Sequence, residues 1–226
     1  MSSVMHTEQT PVLYGYFRSS ASWRVRIALA WKGIQYEHHY INLFTGEQRS
    51  EEYEKLNPEK KVPLFITKDG QSLSQSTAII EYLEEAYPDR PMLPKNPKHR
   101  AQARSIAQLI ACDIHPLQNL GVLKHVAGDD QEKRSEWAAE WVNRGFQALE
   151  KELEKTAGTY CVGDHITLAD FYLVPMVFNA TRWGVDMKAY PLITRIHNTL
   201  MTLPEFKASH PHSQEDCPEE LRGQGI

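Results

Sequence analysis

The hydrophobic and polar positions of the chain follow two regimes that meet near residue 90. In the first, short apolar runs alternate with helical patterns. Val12-Leu13-Tyr14-Gly15-Tyr16-Phe17 has the apolar and aromatic content of a strand, and a turn of small hydroxyl residues follows it. The stretch Trp23 to Trp31 reads as a helix that stops at Lys32-Gly33, where a cation and then a glycine mark a C-terminus. Tyr36 to Ile41 is expected as a second strand. The three elements form a βαβ unit, whose parallel strands need a right-handed crossover. Glu51 to Leu56 is a short helical stretch that ends at Asn57-Pro58, because a proline disfavours helical geometry in the residue before it. Leu64 to Thr67 and Gln71 to Leu73 read as strands joined at Lys68-Asp69-Gly70, an Asp-Gly hairpin signal. Ile79, Tyr82, Leu83 and Ala86 then fall at i, i+3, i+4 and i+7 and give the next helix one apolar face.

Pro88, Pro91, Pro94 and Pro97 punctuate a charged stretch that reads as a linker. Beyond it strand signals fade. His99 to Lys124 and Gln131 to Thr156 are expected as two long helices, the second with Ala138, Trp141, Val142, Gly145 and Leu149 on one face. A third begins near Thr167, whose hydroxyl is placed to cap it while Asp170 reaches back to the backbone and Ile166 supplies an apolar staple. Shorter helices are expected over Pro191 to Leu200 and Pro204 to His210, before a polar tail. The expected organisation is a polar N-terminal tail (1–10), a thioredoxin-like α/β domain (11–89), a linker (90–98) and an all-α C-terminal domain (99–226). No internal repeat is present.

Composition narrows the classes. With 226 residues the chain is long enough to bury a core without disulfide or metal staples. Its 41% hydrophobic and 24% charged residues are those of an ordinary globular protein, and no segment has the apolar length of a membrane span. A net charge of −4 supplies no basic excess for neutralising phosphates, which argues against a nucleic-acid partner. The three cysteines, Cys112, Cys161 and Cys217, are widely spaced with no CxxC pair, so free thiols in a reducing compartment and no metal site are expected. Residues Met1 to Thr10 lack the character of a signal or transit peptide, and a cytoplasmic location is the expectation.

The chemistry concentrates at Arg18-Ser19-Ser20-Ala21-Ser22-Trp23-Arg24, where the first strand runs into the first helix. A helix N-terminus presents unpaired N–H groups and a partial positive charge, and so cradles an anion. Serines there also serve as plain caps. No ionisable nucleophile stands among them, because Ala21 occupies the one small apolar position; a thiol used at this site arrives with a ligand. Magnitudes allow it to ionise. A free thiol has a pKa of about 8.5, a helix terminus contributes roughly 0.3 to 2 kcal/mol, and a hydrogen bond to a charged group adds about 1.5 to 3. Two further features fit a peptide-like ligand. Val62-Pro63 opens a strand, where a cis peptide turns the Val62 backbone outward for pairing; Gln75-Ser76 starts a second helix, suited to a carboxylate.

Together these residues resemble the glutathione transferase superfamily, and Ser19-Ser20-Ala21-Ser22-Trp23-Arg24-Val25-Arg26-Ile27-Ala28-Leu29 is similar to the signature of its zeta class. The resemblance runs from about Pro11 to Arg222 and takes in Asn57 to Pro63, Gln75 to Leu83, His115 to Leu120 and Tyr160 to Asp164. It implies glutathione as cofactor, bound by Ser19, Ser20, Ala21, Ser22, Trp23, Arg24, Val62, Gln75, Ser76, His115 and Asn119, with Ser20 as principal hydroxyl donor to the sulfur and Ser19 beside it. It implies Arg18 and Arg182 at a small acidic substrate, and a homodimer. The implied reaction is the glutathione-dependent cis-trans isomerisation of maleylacetoacetate to fumarylacetoacetate in tyrosine and phenylalanine catabolism. The same thiolate suits transfer to α-haloacids or other small electrophiles, and a noncatalytic interaction module is the alternative of another class. Three positions depart from the pattern: Ala21 replaces the usual cysteine, His115 a glutamine, and Gly121 a serine.

Overall fold

The computed structural model describes residues 9–225, so most of the expected N-terminal tail (1–10) lies outside the described residues. The first unit opens with β1 (Val12–Gly15), α1 (Ser20–Lys32) and β2 (Glu37–Tyr40). It continues through α2 (Glu51–Leu56), β3 (Leu64–Ile66), β4 (Ser72–Ser74) and α3 (Ser76–Ala86). The sheet order is β2-β1-β3-β4, with β1 and β2 parallel and β3 antiparallel to both β1 and β4. This is the mixed sheet of a thioredoxin-like domain.

Local chemistry sets the element ends. Gly33 closes α1 in the left-handed region (φ 67°), where its N–H reaches the Ala30 and Leu29 carbonyls. Gly70 (φ 86°) turns the β3–β4 hairpin after Asp69. Unlike an ordinary surface helix, α1 is buried from Ser22 to Leu29, on all its faces, and Arg24 and Arg26 lie within that stretch. At its C-terminal end Lys32 Nζ binds Glu84 Oε2 of α3 at 3.0 Å.

The second unit is helical: α4 (Pro97–Gln108), α5 (Leu120–Ala127), α6 (Gln131–Thr156), α7 (Leu168–Arg182) and α8 (Pro191–Leu200). At its centre α7 buries twelve side chains, a helix that is apolar all round. Its start carries the expected capping box. Asp170 Oδ2 accepts from the Thr167 N–H at 2.7 Å and from its hydroxyl at 3.2 Å, while Oδ1 takes the Cys161 N–H at 3.0 Å.

Three expectations are corrected. The single helix expected over 99–124 is broken: α4 gives way to a wider π-type turn (Leu109–Ile114), a 3-10 turn (His115–Gln118) and α5. Pro116 has no N–H for an α-helical bond, and the wide turn brings Ile114 so close to Gly145 of α6 that a Cβ there would lie 2.3 Å from Ile114 Cγ1. The stretch 90–98, expected as a linker, buries Met92 and Leu93, and the Met92 carbonyl accepts the Leu168 N–H at 2.8 Å. The chain from Glu205 onward, expected with the helices, packs with the α/β unit instead; it includes most of α9 (Pro204–Ala208) and supplies Ser209 and Asp216 to α1 and the turn before it. Among the described residues no helix is long and apolar enough to cross a membrane, and no cluster of His, Cys, Asp and Glu could hold a metal ion.

Candidate active site

β1 stops at Gly15, and Tyr16 to Ser19 turn the chain into α1. Ser19 is the N-cap (φ −69°, ψ 116°); its Oγ accepts the Ser22 N–H at 3.2 Å, which leaves its proton available for donation. No acidic side chain lies in the first turn, so the positive end of the helix dipole is not neutralised from within α1. Ser20 is the first helical residue and is buried at 4% exposure; Ala21, beside it, is half-buried.

Two of the residues expected to bind the ligand have their side chains in the interior. Ser22 is fully buried with its side chain against β1, and Trp23 donates its indole N–H to Ser209 Oγ at 3.1 Å. Both therefore shape the turn from behind. His38 of β2 stands on the same side, and a Cβ on Gly15 would lie 2.8 Å from its Nε2 and 3.4 Å from Ser22 Oγ, which is why glycine ends β1. Burial, reinforced by Arg26 and His39, pushes the His38 pKa down to about 3, so the ring is neutral at physiological pH.

A second helix N-terminus stands at the start of α3. Gln75 precedes it at φ 68°, ψ 116°, a conformation costing a non-glycine residue about 1–3 kcal/mol and typical of functional positions. No side chain caps α3, and Ser76 is its buried first residue. Glu59 organises the neighbourhood. Its carboxylate accepts from Gln75 Nε2 at 2.5 Å and from Ser74 Oγ at 2.8 Å. Arg24 Nη1 donates to Ser76 Oγ at 3.4 Å, so the two helix starts are tied together.

Val62 is joined to Pro63 by a cis peptide. The loop before it is fixed from α2: the Lys61 carbonyl accepts from Asn57 Nδ2 at 2.7 Å and from Tyr53 OH at 2.8 Å, and Asn57 Oδ1 accepts the Glu59 N–H at 3.1 Å. Val62 packs against Tyr16 and Phe17 of the α1 turn. The Arg18 guanidinium is 5.3 Å from the Phe44 ring and 5.9 Å from that of Phe17.

In the helical unit the other candidates gather around Gln118. Its Oε1 accepts from Trp183 Nε1 at 2.9 Å and Asn179 Nδ2 at 3.2 Å, and its Nε2 lies 3.4 Å from His115 Nδ1. Asn119 is exposed and caps α5 by accepting the Leu120 N–H at 2.7 Å. Arg182 is exposed at the end of α7, with its guanidinium 4.2 Å from the Trp183 ring centroid. Sequence reasoning missed Gln118, Glu59 and His38. Nothing local distinguishes Gln118 within the His115–Leu120 stretch, or Glu59 from the neighbouring loop charges.

A glutathione S-transferase N-terminal domain family matches residues 13–91, and a glutathione S-transferase C-terminal domain family matches residues 110–204. The maleylacetoacetate isomerase of Mus musculus is 53% identical over 214 residues, covering 94% of this chain and 97% of its own. A maleyl pyruvate isomerase, described as a bacterial zeta-class glutathione S-transferase, superposes with a TM-score of 0.88 at 38% identity, covering 92% of this chain and 100% of its own. The maleylacetoacetate isomerase of Anaeromyxobacter dehalogenans 2CP-1, solved with glutathione in its active site, superposes with a TM-score of 0.85 at 39% identity, covering 92% and 98%. The chain belongs to the glutathione S-transferase family, in its zeta class.

Proposed function

We propose that this protein binds glutathione and uses its thiolate to isomerise maleylacetoacetate to fumarylacetoacetate. The observation that carries the reading is the α1 N-terminus: Ser19 and Ser20 at a helix start with no carboxylate in its first turn and Ala21 where a thiol would otherwise stand. The thiol is therefore the ligand's. Ser20 is assigned the main hydroxyl bond to the sulfur, with Ser19 beside it. The Val62 backbone pairs with the cysteinyl portion. The α3 start, Gln75 and Ser76, takes the γ-glutamyl carboxylate, and the Glu59 carboxylate supplies a counter-charge for the neighbouring ammonium.

In the reaction the thiolate adds to the cis double bond and forms a C–S bond, while the π electrons move onto the conjugated carbonyl as an enolate. The former double bond rotates as a single bond. Collapse of the enolate re-forms the alkene in the trans geometry and expels the thiolate, so glutathione is regenerated and nothing is oxidised or reduced. Arg18 and Arg182 are assigned to the substrate carboxylates and the developing enolate, and His115 and Asn119 to the wall of the site. The proposal extends to a cytoplasmic homodimer acting in tyrosine and phenylalanine breakdown. Cys112, Cys161 and Cys217, all free thiols, support the reducing compartment, and zeta-class membership supports the dimer.

The test is turnover of maleylacetoacetate by the purified chain with and without glutathione. Conversion that requires glutathione and leaves its concentration unchanged is expected. Conversion at the same rate without it, or none with it, overturns the assignment.

A further inference from the structure

The C-terminal segment packs against the turn that leads from β1 into α1. Tyr16, Phe17 and Arg18 join β1 to Ser19, and backbone groups of Tyr16 and Phe17 are held by residues distant in the chain. The Phe17 N–H donates to Asp216 Oδ2 at 2.8 Å, a contact 199 residues away in sequence. Arg26, inside α1, donates from Nη1 to the Tyr16 carbonyl at 3.3 Å and from Nη2 to the Phe17 carbonyl at 2.8 Å. Its Nε donates to the Ser209 carbonyl at 3.1 Å. The Tyr16 carbonyl also accepts the Ser19 N–H at 3.0 Å, which closes the turn.

Apolar contacts follow the same route. Tyr16, Phe17 and Cys217 form a buried cluster, against which Val62, Leu43 and Leu221 pack. The segment is braced internally: Arg222 donates to the Cys217 carbonyl at 3.2 Å and to the Glu215 carbonyl at 2.8 Å, and Gln214 Nε2 donates to the Ala208 and His210 carbonyls at 3.1 and 2.9 Å. One strap thus bears on the turn before α1 and on Val62, next to the two places where the thiol and the cysteinyl backbone are assigned.

We propose that Asp216 and Arg26 are positioning residues for the isomerisation. Together they fix the Tyr16-Phe17 backbone so that Ser19, Ser20 and the first N–H groups of α1 meet the ligand sulfur in one geometry. This rests on the glutathione reading given above. Arg26 is fully buried and its pKa falls only to about 10 through burial, so it stays charged and keeps its donors at neutral pH. A small error in the turn is costly, because a displacement of about 1 Å at a catalytic group can lower a rate by roughly a hundredfold.

Asp216→Ala and Asp216→Asn separate this role from two others. Alanine removes the acceptor for the Phe17 N–H; asparagine removes the charge and keeps an acceptor oxygen. The readouts are kcat, KM for maleylacetoacetate, and the pKa of the enzyme-bound glutathione thiol followed by thiolate absorbance. For Asp216→Ala, kcat is expected to fall at least about fivefold with KM within about twofold, and the bound-thiol pKa to rise by about half a unit or more. Asp216→Asn is expected to restore both. Loss of a nearby negative charge acts in the opposite direction and would lower the thiol pKa in both variants. Native kcat and thiol pKa in folded Asp216→Ala overturn the proposal, as does equal impairment in Asp216→Asn. Should the alanine variant not fold, hydrogen exchange at the Phe17 amide of the native protein decides: strong protection supports the clamp, and exchange at the rate of an exposed amide overturns it. A native enzyme with no ionised bound thiol overturns the glutathione reading itself, before any variant is compared.

Discussion

Arg24 of α1 donates to the Ser76 hydroxyl of α3 at 3.4 Å, and so joins the two helix N-termini to which the thiol and a carboxylate of the ligand are assigned. Both residues are buried. A guanidinium at this junction orients the Ser76 hydroxyl and adds positive potential to both helix ends.

Arg24→Lys keeps the charge and loses the planar, multi-donor head. The expected result is an increase of about tenfold in the Kd for glutathione, equivalent to about 1.4 kcal/mol, with kcat at saturating glutathione within about threefold of native. Isothermal titration with glutathione, paired with saturation kinetics, checks it. An unchanged Kd would mean that the Arg24–Ser76 contact plays no part in ligand binding.

Asp170 serves the helical unit in a different way. Three hydrogen bonds from Thr167 and Cys161 converge on its fully buried carboxylate. Burial raises its pKa, while those same bonds pull it down. Asp170→Ala leaves the Thr167 and Cys161 N–H groups without their acceptor and is expected to cost about 3 kcal/mol of stability. Urea unfolding measures this directly. A loss below about 1 kcal/mol would contradict the capping role.

His38 gives the protein an acid-side sensitivity. Its folded pKa is about 3 against an ordinary value of 6.5, so the unfolded chain binds the extra proton between those values. The contribution is complete above pH 6.5 and is lost as pH falls towards 3. Thermal unfolding of native protein and His38→Gln between pH 7.5 and about pH 4 is the check, the difference between the curves isolating this ring from the carboxylates. The native Tm is expected to fall more steeply; parallel curves would exclude His38 as the source.

The sequence showed those features whose causes are local. Glu51–Leu56, Gln131–Thr156 and Pro191–Leu200 appear with the bounds that caps and prolines mark, and the Thr167–Asp170 box is made within one helical turn. The βαβ unit and the Asp69-Gly70 hairpin were equally legible. What stayed hidden depends on residues far apart in the chain. The apolar periodicity from His99 to Lys124 runs straight through Pro116, and nothing in it marks the wide turn that brings Ile114 up to Gly145. The polar tail after His210 carries no signal that Asp216 binds Phe17. Trp23 and Ser22 stand inside the catalytic motif in sequence, yet their side chains face the interior because a helix displays its residues on all sides.

The central claim is that the α1 N-terminus ionises a thiol that the protein itself does not possess. It is tested most directly by titrating the thiolate absorbance of enzyme-bound glutathione against pH, in the native chain and in Ser20→Ala. The account predicts a native bound-thiol pKa at least about one unit below the free value of about 8.5, and a rise of about one unit or more when the Ser20 hydroxyl is removed. A bound thiol that titrates like free glutathione, or a Ser20→Ala curve that overlays the native one, would contradict it.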